Sequence, residues 1–372
     1  MTSIDKIEAF VYRCPIQQPV QTSFGIMRDR PAVFVRVTDK DGAVGWGEIW
    51  CNFPAVGAEH RARLVSTVFA DMLQGQTFSS PSHAFDMLTE RTAVLAIQSA
   101  EPGPISQCIA GIDTALWDLQ GQRQGQPLWR LLGGESPTLR VYASGLNPTD
   151  PEKLAEQCHE AGYRAFKLKV GFGRERDHHN LRAMRESVGN CELMVDANQA
   201  WDLPTALSEA ANMEPFGLRW LEEPLRANRP WSEWDQLAEG SEIPLAAGEN
   251  LAGHDCFGQA LAHDALRVVQ PDLAKWGGIS GCLPLARLIR QSGRRYCPHF
   301  LGAGIGLLAS AHLLAAVGGD GVLEVDANPN SLRTLTCGPL NHITDGFMQL
   351  TEDHGLGAKV DVLALREYLV AV

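Results

Sequence analysis

Seven side chains capable of acid–base or metal chemistry recur at a nearly constant spacing through the middle of the chain. Each closes a short apolar run, and neighbouring members lie 23 to 27 residues apart; they are Lys169, Asp196, Glu222, Glu249, Asp272, His299 and Glu324. Acids and lysines are common at strand ends, so a single member would more often be solvated surface. Seven in register are poorly explained by chance. The spacing indicates a repeated structural unit that brings them to one place.

Three of these residues, Asp196, Glu222 and Glu249, predict a metal site. Carboxylates at the ends of three successive strands would converge, and their mutual repulsion in one pocket calls for a cation. Ligands made only of oxygen select a hard divalent ion, which makes Mg²⁺ the expected cofactor. Asn198, two residues beyond Asp196, faces the same side and could orient a ligand. The alternative is three separate ion pairs with lysines or arginines.

Four further residues predict proton transfer. Lys167 and Lys169 are two positions apart on one strand, so both project to the same face. Repulsion between them beside a metal is expected to lower their pKa values enough for general-base catalysis. Asp272 and His299 follow the metal strands, and a carboxylate can fix the tautomer of a histidine and raise its basicity. Acid–base groups would then flank a substrate on two faces, whereas a lone Lys-Leu-Lys or histidine would more often be structural.

The same spacing indicates the elements that hold these residues. Short apolar runs, each followed by a helix-length segment, are typical of βα units with a parallel sheet. Such runs are Ala165–Lys169, Glu192–Asp196, Arg219–Glu222 and Leu266–Gln270, with a further strand at Leu139–Ala143. Eight strands are enough to close a barrel, and in such barrels the catalytic groups lie at the carboxyl ends of the strands. The seven residues would therefore form a ring.

The first third of the chain predicts a different architecture. Ile7–Tyr12, Ala32–Val37 and Val44–Glu48 read as antiparallel strands, with Asp41-Gly42 as a hairpin turn. Helical periodicity follows and ends at Gly133-Gly134. We predict an α+β domain over residues 1–134, an α/β barrel over 135–327, and a tail over 328–372 that returns to the first domain.

Composition limits the location and the partners. A net charge of −12 argues against nucleic acid, because phosphate binding needs a basic footprint. Nine scattered cysteines without a Cys-X-X-Cys pair indicate reduced thiols in a cytoplasmic protein. The longest apolar stretch, residues 306–318, is too short to span a bilayer. We expect neither a nucleic-acid partner nor a membrane partner.

These residues, in this order, resemble the enolase superfamily, specifically its mandelate racemase/muconate lactonizing enzyme family. The matching pieces are Lys167-Leu-Lys169, Val195-Asp-Ala-Asn198, Leu221-Glu-Glu-Pro224, Gly248-Glu-Asn250, Gln270-Pro-Asp272, Lys275-Trp-Gly-Gly278, Pro298-His299 and, in the first domain, Gly45-Trp-Gly-Glu48 and Ala115-Leu-Trp-Asp118. The resemblance covers nearly the whole chain. It implies a (β/α)₇β TIM-type barrel with an N-terminal α+β capping domain that the C-terminal tail completes. It also implies a small-molecule carboxylate substrate, and we expect a homo-oligomer between dimer and octamer.

The chemistry implied by the resemblance is abstraction of the proton α to a carboxylate, through an enediolate. Enolase-superfamily sites use a lysine or histidine base together with Mg²⁺. By resemblance, Lys169 is one base and His299 is the other, which Asp272 orients. Lys167 would help to bind the substrate carboxylate, and Glu324 would hydrogen-bond the developing enediolate. General chemistry agrees, because such a proton is weakly acidic and positive charge must meet the enediolate as it forms.

Substrate choice is expected to lie in two capping loops, Gln21–Arg28 and Trp50–Gly57. The predicted substrate-binding residues are Arg28, Trp50, Phe53, Asn198 and Lys275. The segment from Pro298 to Gly304 most resembles acid-sugar dehydratases and aldarolactone cycloisomerases. Glu324-Val-Asp326 departs from the Asp-X-Asp typical of dipeptide epimerases, and Glu249 departs from the aspartate usual in muconate cycloisomerases. We predict a Mg²⁺-dependent dehydratase or cycloisomerase; a hydroxycarboxylate racemase or epimerase, or a non-catalytic metal-stabilised barrel, are the alternatives.

Overall fold

The strands of this protein form two separate sheets in the computed structural model, which describes residues 1–23 and 25–371. In chain order the strands are β1 (Thr2–Gln21), β2 (Ile26–Asp39), β3 (Val44–Ile49), β4 (Thr77–Phe78), β5 (Thr138–Leu146), β6 (Ala165–Lys169), β7 (Glu192–Asp196), β8 (Leu221–Glu222), β9 (Leu245–Ala247), β10 (Leu266–Val269), β11 (Arg295–Tyr296), β12 (Val322–Asp326), β13 (Phe347–Gln349) and β14 (Leu369–Val370). One sheet is antiparallel, with the order β14-β1-β2-β3 and β4 also on β1. The other runs β11-β10-β9-β8-β7-β6-β5-β12 with parallel neighbours, and β13 adds antiparallel to β5.

Helices alternate with the parallel strands, as the spacing of the sequence predicts. They are α1 (Gly57–Leu64), α2 (Ala70–Leu73), α3 (Pro81–Gln98), α4 (Pro102–Gln124), α5 (Leu128–Leu131), α6 (Pro151–Glu160), α7 (Arg174–Val188), α8 (Leu203–Met213), α9 (Trp231–Glu239), α10 (His254–Ala262), α11 (Gly278–Gln291), α12 (Gly304–Val317) and α13 (Ser331–Thr336). Helices α6 to α12 each join two successive strands between β5 and β12. The predicted (β/α)₇β barrel with an α+β capping domain is therefore confirmed.

The capping domain is closed by tight packing of α4 on β3. A Cβ atom at Gly47 would lie 1.9 Å from the carbonyl oxygen of Gly111, so only glycine permits this approach. Helix α4 also docks on the barrel, where Asp113 accepts hydrogen bonds from the backbone N–H of Ser280 at 2.9 Å and from its hydroxyl at 2.6 Å. One helix thus positions the capping sheet and fixes it to α11.

A layer of apolar side chains fills the barrel interior below the strand ends. Every member is buried; the layer consists of Tyr142, Ala165, Met194, Trp220, Ala246, Val268, Cys297 and Val322. The rings of Tyr142 and Trp220 meet edge to face with their centroids 5.5 Å apart. This apolar layer fills the barrel beneath the polar groups at the strand ends.

The C-terminal tail divides between the two domains. Val370 pairs with Val11 in the capping sheet, as predicted, but Phe347–Gln349 pairs with β5 of the barrel. The exact domain limits at 134/135 and 327/328 stay predictions. Phe24, within the predicted loop Gln21–Arg28, lies outside the described residues. Within residues 1–23 and 25–371, no helix is long and apolar enough to cross a membrane.

Candidate active site

Three of the predicted residues stand side by side at the ends of adjacent barrel strands. Lys169 is the register partner of Asp196, and Asp196 is the register partner of Glu222. Each is the last residue of its strand. Glu249 lies two residues beyond β9, and all four side chains are buried. Alternation of apolar and polar residues along each strand turns these polar groups into the mouth of the barrel.

A deeper layer of the site is organised around Lys167, whose ammonium is completely buried. It donates to Glu222 Oε1 at 2.5 Å and contacts Glu324 Oε1 at 2.7 Å. Glu222 also accepts hydrogen bonds from Trp220 at 3.0 Å and from Gln270 at 2.7 Å. Glu324 was expected at a strand end, but β12 continues two residues further. Glu324 therefore lies one layer below the mouth, level with Lys167.

The surroundings of the two lysines raise their pKa values when no metal is bound, and the expected lowering beside a bound metal stays a prediction. Burial lowers the pKa of Lys169, but the combined attraction of Asp196, Glu249 and Glu222 outweighs burial and the repulsion of Lys167, so the pKa is raised. The Nζ atom of Lys169 donates to Asp196 Oδ2 at 2.5 Å. For Lys167, burial is likewise outweighed, by Glu222 and Glu324, and the pKa is raised well above its usual value. The prediction assumed that a metal neutralises the carboxylates that pair with the two lysines in this structure.

Asp272 and His299 form the predicted pair. Nδ1 of His299 lies 2.7 Å from Asp272 Oδ2, and the other oxygen of Asp272 accepts the backbone N–H of Ala274 at 2.8 Å. Nε2 of His299 lies 2.6 Å from Glu249 Oε2. Burial lowers the pKa of His299, but Glu249 and then Glu324 outweigh it and raise the pKa well above its usual value. His299 thus lies between two carboxylates, which favour its protonated form.

The arrangement of the predicted metal ligands shows ion pairs. Among the described residues, no three acidic, histidine or cysteine side chains surround one point as ligands would. Asp196 forms an ion pair with Lys169, and Glu222 forms one with Lys167. Glu249 contacts Lys275 at 3.2 Å. These contacts are the separate ion pairs that the sequence left open as an alternative.

The charges around the strand ends nevertheless fit a divalent cation. Six buried carboxylates gather there, namely Asp196, Glu222, Glu223, Glu249, Asp272 and Glu324. Four cationic groups face them when His299 is protonated; they are Lys167, Lys169, Lys275 and His299. With all six carboxylates ionised, six negative charges face four positive charges, which leaves two uncompensated. Burial and the neighbouring Glu249 and Asp196 raise the pKa of Glu223 well above its usual value, so this ionised state calls for a further cation. Burial, together with neighbouring acids, also raises the pKa of Glu222 to about 7 despite Lys167. The oxygen donors at Asp196, Glu222 and Glu249 are of the kind that Mg²⁺ prefers.

A cavity of about 210 Å³ opens above these groups, between the barrel mouth and the capping domain. It is lined by Thr22, Met27, Trp50, Asn52, Phe53, Lys169, Asn198, Gln199, Glu249, Asn250, Lys275, His299 and Leu301. Four of the five predicted substrate-binding residues are among them: Trp50, Phe53, Asn198 and Lys275. Both predicted bases also face this space, which we call the reaction cavity.

Arg28 is the exception among the predicted substrate-binding residues. It is exposed and lines a different cleft, which it shares with Ile26, Asn147 and Lys153. Successive residues of a strand point to opposite faces, and in β2 it is the neighbouring Met27 that is buried against the reaction cavity. Strand alternation therefore turns Arg28 away from the reaction cavity in this structure.

Several cavity residues were not singled out from the sequence. Gln199 directly follows the Val195-Asp-Ala-Asn198 segment and Asn250 ends the Gly248-Glu-Asn250 segment, so their position after a strand end was an available signal. Asn52, by contrast, faces the cavity because its side chain donates to the carbonyl of Leu301 at 2.6 Å. No local pattern shows this contact between two domains.

Glu48 is a further buried residue whose role the sequence did not reveal. It closes the Gly45-Trp-Gly-Glu48 segment and accepts hydrogen bonds from the backbone N–H groups of Ala303 at 2.6 Å and Gly306 at 2.9 Å. These groups lie at the start of α12, where the first N–H groups of a helix lack intrahelical partners. A capping-domain carboxylate thus holds the segment that directly follows His299.

Replacing Phe53 by alanine is expected to raise KM about tenfold with little change in melting temperature, because the ring is only partly buried and lines the reaction cavity. Steady-state kinetics and a thermal melt on the same preparation measure both quantities. Val56→Ala, an exposed position on the same segment, serves as the control and should change neither. A large drop in melting temperature with unchanged kinetics would show that Phe53 belongs to the core.

Two family models match this chain and together cover most of it. The mandelate racemase / muconate lactonizing enzyme N-terminal domain matches residues 6–133, and the enolase C-terminal domain-like model matches residues 151–364. A crystal structure of mandelate racemase/muconate lactonizing enzyme from Bordetella bronchiseptica RB50 is 54% identical, with a TM-score of 0.94 and 99% of each chain covered.

More distant relatives cover nearly the same length. D-galactarolactone cycloisomerase of Agrobacterium fabrum is 29% identical over 91% of each chain. A racemase from Streptomyces coelicolor A3(2), solved with bound magnesium, is 28% identical with a TM-score of 0.89, covering 99% of this chain and 100% of that one. Other relatives carry the names dehydratase and epimerase.

Proposed function

This chain belongs to the mandelate racemase/muconate lactonizing enzyme family of the enolase superfamily, and on that premise we propose that it is a Mg²⁺-dependent acid-sugar dehydratase or aldarolactone cycloisomerase. The reaction would begin with removal of the proton α to a carboxylate. The observation that carries the proposal is that Lys169 and His299, from distant strands of the barrel, line one cavity above a cluster of buried carboxylates. Relatives named cycloisomerase and dehydratase support the choice of reaction.

The proposed metal ligands are Asp196, Glu222 and Glu249. When bound there, Mg²⁺ would supply positive charge to the substrate carboxylate as it becomes an enediolate. Asn198 donates two hydrogen bonds to the carboxylate of Asp196, from its backbone N–H to Oδ1 at 2.8 Å and from Nδ2 to Oδ2 at 3.0 Å. These bonds fix the orientation of one oxygen ligand before any ion is present.

The chain's own residues divide the remaining tasks. Lys169 and His299 exchange protons with the substrate α-carbon and its leaving group from two sides of the cavity. Asp272 binds Nδ1 of His299 and thereby directs Nε2 toward the substrate. Lys167 lies one layer deeper and adds a fixed positive charge below the carboxylate, while Lys275, held 4.9 Å from the ring of Trp50, lies at the cavity rim. Trp50 and Phe53 exclude water.

The ion pairs of the structure suggest how the bases become available. Lys169 is held by Asp196, and Nε2 of His299 is held by Glu249. Both carboxylates are proposed metal ligands. Asp196 and Glu249 would have to release Lys169 and His299 in order to bind the metal. Metal binding would therefore free both bases for proton transfer.

Two bases in one cavity also favour a second candidate function, racemisation or epimerisation of a hydroxycarboxylate. That reaction removes the proton on one face and returns one on the other, which requires two acid–base groups. Dehydration, cycloisomerisation and racemisation share the first step and differ in the fate of the enediolate.

The proposal is tested with a panel of acid sugars and hydroxycarboxylates in D₂O with added Mg²⁺. Exchange of the α-proton, followed by NMR, reports the shared first step. Formation of a keto acid identifies a dehydratase, ring opening of a lactone identifies a cycloisomerase, and inversion alone identifies a racemase. Absence of exchange with every member of the panel would favour the non-catalytic barrel.

A further inference from the structure

The two proposed bases are held in the barrel by different means. Lys169 ends β6, which pairs with a strand on each side, and its backbone is in register with Asp196 of β7. His299 lies three residues beyond β11, a strand of two residues that pairs with β10 alone among the strands that the structure describes. Residues 297–303 belong to no helix or strand. The sheet therefore fixes the position of Lys169 and leaves the position of His299 to other contacts.

The segment that follows His299 is held by hydrogen bonds at almost every residue. The bonds are Phe300 N–H to Glu324 at 3.0 Å, Asn52 to the carbonyl of Leu301 at 2.6 Å, Asn330 to the carbonyl of Gly302 at 2.9 Å, Ala303 N–H to Glu48 at 2.6 Å, Gly304 N–H to Thr336 at 3.0 Å and Gly306 N–H to Glu48 at 2.9 Å. Three of these bonds come from the capping domain, and Glu48 accepts two of them. The capping domain thus helps to determine the course of the chain at His299.

The ring of Phe300 shows how little room this segment has for another course. A Cβ atom at Gly302 would lie 2.5 Å from the ring, and one at Gly306 would lie 2.3 Å from it. The same Cβ atom at Gly302 would lie 2.7 Å from Oε1 of Glu48. The ring and the carboxylate therefore pack against the same glycine, and the segment is confined between them.

Glu48 is an unusual residue to place between two domains. It is 3% exposed, and no lysine, arginine or histidine within residues 1–23 and 25–371 forms an ion pair with it. Burial raises the pKa of Glu48 to about 7, although the N–H groups of Gly306 and Ala303 lower it in part. A buried carboxylate destabilises a fold unless hydrogen bonds compensate it. Apolar contacts would attach the capping sheet without that cost, which indicates a role beyond attachment.

We propose that Glu48 is a positioning residue for His299: it fixes the segment that carries the imidazole, so that docking of the capping domain completes one of the two bases. This inference rests on the proposed function, which gives His299 the proton on one face of the substrate. A backbone shift at His299 would move the imidazole relative to Asp272, which lies 2.7 Å from Nδ1. Misplacement of a reacting group by about 1 Å can lower a rate about 10²-fold. Lys169 does not depend on Glu48, because the sheet holds it.

The test measures α-proton exchange in D₂O, with added Mg²⁺, for both epimers of a substrate that the panel identifies. Glu48→Gln keeps the size of the side chain but offers one oxygen in place of two, so one N–H group loses its acceptor. We expect kcat to fall about 10- to 100-fold, with KM unchanged, for the epimer that His299→Asn affects. The epimer that depends on Lys169 should exchange as in the unchanged protein. Equal slowing of both epimers, or full activity toward both, would overturn the inference.

Asp113→Asn is the matched control. Asp113 is also a buried carboxylate of the capping domain, and it accepts the N–H of Ser280 at the start of α11 as Glu48 accepts N–H groups at the start of α12. This variant should lower the melting temperature without favouring either epimer; the same selectivity in both variants would overturn the inference. If Glu48→Gln does not fold, Glu48→Asp replaces it, because it keeps the charge but is one methylene too short to reach both N–H groups.

A second measurement does not depend on activity. The NMR signal of the proton on Nδ1 of His299, assigned by its absence in His299→Asn, reports the bond to Asp272 in the full-length protein. It should shift in Glu48→Gln and stay in place in Asp113→Asn, and an unchanged signal in both would overturn the inference. Failure of the proposed function gives a different result, since no member of the panel would then exchange its α-proton while the imidazole signal still responded to Glu48→Gln.

Discussion

Replacing His299 by asparagine will abolish exchange of the α-proton with D₂O for one epimer of the substrate and spare the other. Lys169 ends β6 and His299 lies three residues beyond β11, and both line the same cavity. Four strands separate β6 from β11 along the sheet, so we expect each base to reach one face of the α-carbon. Loss of a base costs about 10²–10⁴ in rate on its own face. Lys169→Ala should show the converse selectivity. NMR on both epimers with both variants measures the four rates.

Asp272→Asn provides the internal control for this experiment. It keeps the volume of the side chain but removes the charge that binds Nδ1 of His299 at 2.7 Å. Asp272→Asn should therefore slow α-proton exchange in the same epimer as His299→Asn, and not in the epimer that Lys169→Ala affects. If the histidine and lysine variants slow both epimers equally, the two-face arrangement is wrong, and one of these residues only binds or stabilises charge.

Glu222→Gln is expected to weaken Mg²⁺ binding by at least about 100-fold while the barrel stays folded. The substitution removes one of three proposed anionic ligands, and loss of groups that merely orient ligands already costs about 10–100-fold in metal affinity. Lys167 keeps its contact with Glu324 at 2.7 Å, so its buried charge remains paired. Calorimetric titration with Mg²⁺ measures the affinity, and circular dichroism verifies the fold.

The matched control for the metal experiment is Glu209→Gln. Glu209 is also buried, and it binds Arg174 between α7 and α8, away from the strand ends. This variant should lose stability and keep its Mg²⁺ affinity. Unchanged affinity in Glu222→Gln would exclude Glu222 from the metal site.

The barrel could be predicted from the sequence because each of its strands is short, apolar and bounded by turn signals. Ala165–Lys169 and Glu192–Asp196 agree with the structure at both ends. Hydrophobic burial decides these limits locally, since a residue either fills the interior or faces the mouth. The convergence of the strand-end residues then follows from the parallel topology alone.

The features that escaped prediction depend on contacts between distant segments. The pKa values of Lys167 and Lys169 are set by carboxylates on other strands, and their sign could not be obtained from the spacing of the lysines. Arg28 was assigned to a loop, but β2 extends to Ile26 and alternation turns its side chain away from the cavity. In both cases the missing information was the identity of the neighbours in space.

The contact between Glu48 and the start of α12 separates the sequence requirements of the fold from those of the loops. Glu48 lies on β3, within the capping sheet, whereas Thr22, Trp50 and Phe53 line the reaction cavity from loops. The residue that attaches the capping domain to the barrel is therefore distinct from the loop residues that line the reaction cavity. Loop sequences can diverge, or be exchanged between relatives, without releasing the segment that carries His299, so long as the glutamate at the end of the sheet is retained.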